Sequence, residues 1–178
     1  MLARAFHDDP AMAYLLPDPA PRPARLARLF AILFDSDAAS GMRLITAGGE
    51  AMALWRAPGH AVSGAGAMFG AALPLLRVFG TALPRALRLS GAIEAHFPEQ
   101  PFWYLHIAGC DHAHQGRGHG GAAVRAGLAR AAGRLPAYLE TANPANLGFY
   151  EGLGFAVTGE WRVAGDGPRF WSMLRPAG

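Results

Sequence analysis

The chain has 178 residues, 52% of them hydrophobic, with a formal net charge of +3 and a single cysteine, Cys110. That length and apolar content suffice for a sizeable core without metal or disulfide staples, and one cysteine excludes an internal disulfide. All sixteen basic residues are arginines scattered through the chain, which excludes the dense basic stripe of a nucleic-acid-binding surface.

In chain order, a helix is predicted from Leu2 to Phe6, stopping around Asp9-Pro10, and a proline-rich connection from Pro17 to Pro23 leads into a second helix from Ala24 to Ser36. Met42 to Ala47 and Glu50 to Trp55 read as strands about the hairpin signal Gly48-Gly49. Ala61 to Gly80 is apolar and about as long as a bilayer crossing, but it contains Gly64, Gly66, Gly70, Pro74 and Arg77. A charge and a proline near its middle argue for one or two helices packed on the core and against a membrane span. Pro84 suits the first turn of another helix, from about Arg85 to Ala95, which ends before Phe97-Pro98.

A strand is predicted at 102–109 and a helix at 118–132, whose apolar stripe is Val124, Leu128, Ala131 and Ala132 with Arg125, Arg130 and Arg134 off it. Next come a short strand from Ala137 to Thr141 and a short helix from about Pro144 to Glu151. Strands from Phe155 to Val163 and Phe170 to Leu174, joined by Gly165-Asp166-Gly167-Pro168, complete the pattern. No repeat or long linker divides it, so residues 1–178 are expected to form one domain. No secretory signal precedes Asp8 and Asp9, and a cytoplasmic setting is expected.

The junction from Cys110 to Gly121 joins a strand to a helix through clustered glycines. A helix starting there leaves its first N–H groups unpaired at the positive end of its dipole, where a pyrophosphate can dock, and glycine lets it approach. The segment Gln115-Gly116-Arg117-Gly118-His119-Gly120 does not fit Gly-x-Gly-x-x-Gly, and no lysine follows for a P-loop. It does fit Gln/Arg-x-x-Gly-x-Gly/Ala. A second block holds Asn143, Asn146, Phe149-Tyr150 and Leu153-Gly154-Phe155. Together the two blocks resemble the acetyl-CoA-binding segments of the GNAT N-acetyltransferase superfamily. The resemblance extends over nearly the whole chain, from Leu2-Ala3-Arg4-Ala5-Phe6 to the final strand. It implies an α/β (α+β) fold with a central mixed, mostly antiparallel sheet flanked by helices. The family's usual strand before the first helix has no counterpart here, and the helices ahead of the 102–109 strand are longer than is common.

The resemblance further implies acetyl-CoA as cofactor and direct attack by a primary amine of a small molecule, peptide or protein in a ternary complex. Gln115, Gly116, Arg117, Gly118, His119, Gly120 and Gly121 would hold the pyrophosphate, mainly through backbone N–H groups, with Arg117 adding charge. Ala108, Gly109 and Cys110 would polarise the thioester carbonyl through backbone N–H groups. Asn143, Asn146 and Phe149 would lie along the pantetheine arm, and Asn143 before Pro144 is equally a helix N-cap. Tyr150 matches the tyrosine that gives a proton to the departing thiolate, a task suited to a phenol that stays protonated at neutral pH.

The attacking amine must lose a proton. His106, two residues beyond Tyr104 on the same strand face, is the first candidate base, and Glu140 on the adjacent strand is its rival. His112, His114, His119 and Asp111 fall in the turn assigned to phosphate without a second ligand cluster at zinc spacing, so no metal is expected. Cys110 fits a small buried hydrophobe better than a nucleophile. On the acceptor side the resemblance implies a wall that includes His7, Asp8, Asp9 and Tyr14, where acidic groups beside an aromatic ring suit a cation. Asp9 before Pro10 is also a plain helix-ending residue. The acceptor's identity and a homodimer stay open. A catalytically degenerate acyl-CoA-binding sensor is the alternative, and Tyr150 argues against it.

Overall fold

The computed structural model describes residues 1–178 except Ser63, Gly64, Ala132 and Arg134, and without the side chains of 65–69 and 71. The expectations on Gly64, Ala132 and Arg134 therefore fall outside the described residues. Six strands form one sheet in the order β1-β2-β3-β4-β6-β5. They are β1 (Gly41–Ile45), β2 (Ala51–Arg56), β3 (Trp103–Cys110), β4 (Ala137–Thr141), β5 (Ala156–Arg162) and β6 (Arg169–Arg175). Only β3 and β4 run parallel, so the sheet is mixed and mostly antiparallel. Among the described residues seven α-helices accompany it: α1 (Leu2–Ala5), α2 (Pro10–Leu15), α3 (Arg22–Ser40), α4 (Ala65–Phe79), α5 (Leu83–Glu94), α6 (His119–Arg130) and α7 (Leu147–Glu151).

The strands and the later helices lie close to their predicted spans, and the larger differences are at the start. Asp9 does not merely end the first helix. Its Oδ1 accepts from the Ala11 and Met12 amides at 2.9 and 3.2 Å and so caps α2, a helix that the sequence pattern does not predict. Asp-Pro is a stop for the segment before it and, with proline at the first helical position, an N-cap for the segment after it; the second role builds the extra helix. The next helix begins two residues early, at Arg22, where a proline again falls in the first turn, and runs on to Ser40. Of the apolar stretch, Ala65–Phe79 folds into a single α4 with Pro74 inside it. Among the described residues no helix is long and apolar enough to cross a membrane.

Each sheet face carries its own core. On one, Leu26, Leu29 and Phe30 of α3 meet Leu2 of α1, Leu54 and Ile107. On the other, Val124 and Leu128 of α6 and Tyr150 of α7 cover Trp55, Leu105, Leu139 and Met173. Helix α6 sits close because Gly127 lies against the fully buried Trp55 indole, where a Cβ would stand 2.1 Å from Nε1.

The β2/β3 ladder slips at one point. Leu54 pairs with Ile107 while Trp55 pairs with Leu105, so β3 carries His106 as an extra residue. Such a bulge bends the strand and re-aims its side chains. Here Leu105 packs with the α6 core and Ile107 with the α3 core, while His106 reaches α3.

Candidate active site

Strands β3 and β4 pair only at Trp103 with Ala137 and Tyr104 with Tyr138. Beyond that point β3 is laddered to β2 alone and β4 to β6 alone, so from Leu105 to Cys110 the β3 edge facing β4 is unpaired. An open seam between parallel strands offers main-chain donors and acceptors to a bound molecule. Tyr104 and Glu140 bridge it from one face: the Tyr104 hydroxyl donates to Glu140 Oε1. The other carboxyl oxygen, Oε2, is buried without a hydrogen-bond partner among the described residues. Burial pushes the Glu140 carboxyl up to about 8, and the Tyr104 hydrogen bond and the Arg56 charge offset only part of that.

Behind this pair lies a buried ionic network. Asp37 of α3 holds His106 Nδ1 at 2.7 Å with one oxygen and Arg56 Nε at 2.7 Å with the other. The Asp37 and Arg56 side chains are 0% and 8% exposed, and Arg56 Nη1 also donates to the Ala61 carbonyl at 2.8 Å. Burial opposes ionisation of Asp37, but the His106 and Arg56 contacts outweigh it and hold its pKa below the ordinary carboxylate value. Burial also lowers His106, more than Asp37 raises it. The ring is therefore neutral at pH 7, donating from Nδ1 to the Asp37 carboxylate.

The loop before α6 is shaped by two glycines in the left-handed region, Gly116 at φ 74° and Gly118 at φ 83°. Nothing lies within 4 Å of where a Cβ would stand at either. The first intrahelical bond is Ala122 N to Gly118 O, at 2.9 Å. Among the described residues the amides of His119, Gly120 and Gly121 have no main-chain acceptor. With Arg117 exposed beside them, this open cradle at the head of a twelve-residue helix fits a pyrophosphate. Gln115 instead turns its side chain back toward the Cys110 carbonyl, at 3.4 Å. The missing Cβ of Gly109 leaves room for α1, since it would stand 2.7 Å from Leu2 and 3.0 Å from the Phe6 ring. Ala108 and Cys110 pack toward the α6 face, and burial pushes the Cys110 thiol up, away from the reactive thiolate.

Helix α7 comes after a 3₁₀ turn at Pro144–Asn146 that Asn143 caps, its Oδ1 accepting from Ala145 N at 3.0 Å. Asn146 lies near Thr141. Phe149 is exposed and stands next to Gly120, while Tyr150 is buried between Phe149 and Phe155. Burial raises the Tyr150 phenol well above the ordinary tyrosine value, and the charges of Asp9 and Glu140 act in the same sense. Asp9, Glu140 and Tyr150 thus share one electrostatic neighbourhood. Burial likewise raises the Asp9 carboxyl against its two capping bonds.

Of the remaining acceptor-side residues, Asp8 is exposed and pairs with His7 at 2.7 Å. Tyr14 accepts from Arg88 at 3.3 Å. Two cavities, of about 570 and 530 Å³, are lined by neither Glu140 nor Tyr150. Asp37, Arg56 and Tyr104 are absent from the candidates that the sequence offers. A signal for Asp37 was present: it continues the stripe Leu26, Phe30, Leu33 at helical spacing, and a carboxylate on an apolar stripe calls for a buried partner.

The Acetyltransferase (GNAT) family model matches residues 80–155. A structure described as histone acetyltransferase HPA2 and related acetyltransferase, from Corynebacterium glutamicum, is 28% identical. It covers 99% of this chain and 87% of its own, with a TM-score of 0.73. Arylalkylamine N-acetyltransferase 2 from Aedes aegypti is 12% identical, with 99% and 91% coverage and a TM-score of 0.59, which bears on the fold alone. The chain is thus similar to the GNAT acetyltransferases in sequence from residue 80 to residue 155, through the loop before α6, and similar in fold over its whole length to a related acetyltransferase.

Proposed function

We propose that the protein transfers an acetyl group from acetyl-CoA to an amine of a small molecule or peptide, with Glu140 taking the amine's proton and Tyr150 meeting the departing sulfur. The observation that carries this reading is the buried, unpartnered Oε2 of Glu140, set in the open β3/β4 seam in the same neighbourhood as the Tyr150 phenol. An ammonium has no lone pair, so attack waits on a base. A carboxyl titrating near 8 accepts that proton far better than an ordinary carboxylate, and with Oε1 engaged by Tyr104 the accepting atom is Oε2. His106, the first candidate from the sequence, donates from Nδ1 to Asp37 and keeps Nε2 as an acceptor, but burial lowers its basicity, and in this reading it holds the bulged strand in place.

Acetyl-CoA, when bound, supplies an acyl group activated as a thioester. Gly116, Arg117, Gly118 and the amides of His119 to Gly121 would hold its pyrophosphate, Asn143 and Asn146 would lie along its pantetheine arm, and backbone N–H groups of Ala108 to Cys110 would polarise its thioester carbonyl. Tyr150 would donate a hydrogen bond to the sulfur as charge develops there, and its raised pKa keeps the proton available at working pH. Tyr150→Phe is expected to lower kcat on the order of a hundredfold with KM for acetyl-CoA nearly unchanged. Steady-state kinetics in acetyl-CoA check this.

Acetyl-CoA at about a hundred times its dissociation constant should stabilise the fold by about 2.7 kcal/mol, seen as a rise in melting temperature. Gly118→Val, which forces a β-branched residue to a positive φ, should cost about 1–2 kcal/mol without cofactor and abolish the rise with it. An undiminished rise in the variant would remove the loop from the site. The whole reading is tested by CoA release over a panel of amines. Thiol appearing only when an amine is present supports transfer, whereas binding of acetyl-CoA without turnover of any amine would leave the sensor.

A further inference from the structure

We infer that the acceptor is a zwitterion, an amine carrying a carboxylate or phosphate at its far end, and that the cavity lined by Arg25, Arg85 and Arg88 is the subsite for the anionic end. The inference rests on the amine acetylation proposed above and deepens it.

The cavity, about 530 Å³, lies between the α2–α3 connection, the start of α5 and the β5–β6 turn. Three guanidinium groups line it together with Asp18 and Asp166, yet among the described residues none of the three lies within 4.0 Å of a carboxylate. Asp18 turns its oxygen to the Ala20 amide instead, at 3.0 Å. Arg25 is fixed from behind, donating from Nε to the Val78 carbonyl at 2.6 Å and from Nη2 to the Phe79 carbonyl at 2.7 Å, which leaves Nη1. Arg88 is steadied by Tyr14, and Arg85 makes no side-chain hydrogen bond among the described residues. The three guanidinium groups outnumber the two carboxylates that share the space, which leaves it with a net positive charge, and the planar fork of arginine matches a carboxylate or a phosphate.

Helix α2 ties this cavity to the chemistry. Its N-cap, Asp9, acts electrostatically on Tyr150, and Tyr14, five residues on, holds Arg88. Five helical residues span roughly 7.5 Å. A molecule lying along α2 therefore meets carboxyl groups at its amine end and arginines at its other end. That polarity selects a zwitterion over a plain amine, which brings nothing to pair with the arginines.

The test compares 6-aminohexanoate, 6-aminohexyl phosphate and 1-aminohexane as acceptors. For the parent, kcat/KM is expected to favour the two zwitterions by at least about tenfold at low ionic strength, with the preference shrinking as salt is added. The larger of the two preferences identifies the anion. Arg85→Gln should bring the zwitterion-to-amine ratio to within about threefold of unity, and Arg85→Lys should keep most of it. Arg85 has no side-chain partner to lose among the described residues, so a matching melting temperature is expected for both variants. A parent ratio near unity, or a ratio unchanged in Arg85→Gln, overturns the inference. Should no amine be acetylated at all, the proposed function fails and calorimetry on 6-aminohexanoate decides the cavity by itself. Binding that Arg85→Gln weakens tenfold supports the anion subsite, and equal or absent binding overturns it.

Discussion

Asp37→Ala is expected to cost about 3–5 kcal/mol, because it strands Arg56 in the core without its anion and takes the hydrogen-bond partner from His106. For a chain of this size that corresponds to a fall of roughly 6–20 °C in melting temperature. Asp37→Asn keeps the shape and one acceptor but no charge, and should recover only part of the loss. Both titrations in the network push the same way with pH. The Asp37 pKa is lowered by folding, so its contribution is present above the unfolded carboxylate value and is lost as pH falls through the folded one. The His106 pKa is also lowered by folding, so the unfolded chain takes up the proton first and stability falls as pH drops below about 6.5. Urea midpoints measured from neutral pH downward test this. A variant within about 0.5 kcal/mol of the parent would show that the network adds nothing to the fold.

Glu140→Gln should lower kcat by about 10²–10⁴-fold, the usual worth of one acid or base, and erase the limb of the pH–rate profile that rises through about 8. It should also stabilise the protein at alkaline pH. The folded Glu140 keeps its proton up to about 8, whereas the unfolded chain releases it near 4.5. The stability it contributes is therefore complete below the unfolded value and is lost as pH rises through the folded one. The parent declines by about 1.4 kcal/mol per pH unit across that window from this group, and the amide does not. Lost turnover together with gained stability marks a group held in an unfavourable state for function. If His106→Ala erases the limb while Glu140→Gln keeps it, the base is His106.

The local parts of this protein were legible in the sequence because their causes are local. Gly48-Gly49 marks the β1–β2 turn, the glycines from Gly116 to Gly121 mark a strand ending and a helix beginning, and Asn143 before Pro144 caps the turn that leads into the helix of Tyr150. Each depends on residues a few positions apart. Asp9-Pro10 shows the limit of such evidence, since one dipeptide can stop a helix or start one and neighbouring packing selects between them. What the site does with protons was decided by the tertiary structure. The Tyr104–Glu140 bond joins residues 36 apart, and Asp37 reaches 19 and 69 positions to Arg56 and His106. The bulge that admits His106 exists only in the register of β2 against β3. Arg25, Arg85 and Arg88 share a cavity because α3 and α5 meet beside the β5–β6 turn. A sequence sets which groups a chain carries and where its backbone turns. Burial shifts a carboxyl from near 4.5 to about 8 against the opposing Tyr104 hydrogen bond and Arg56 charge, and all three arise only once distant segments have packed together.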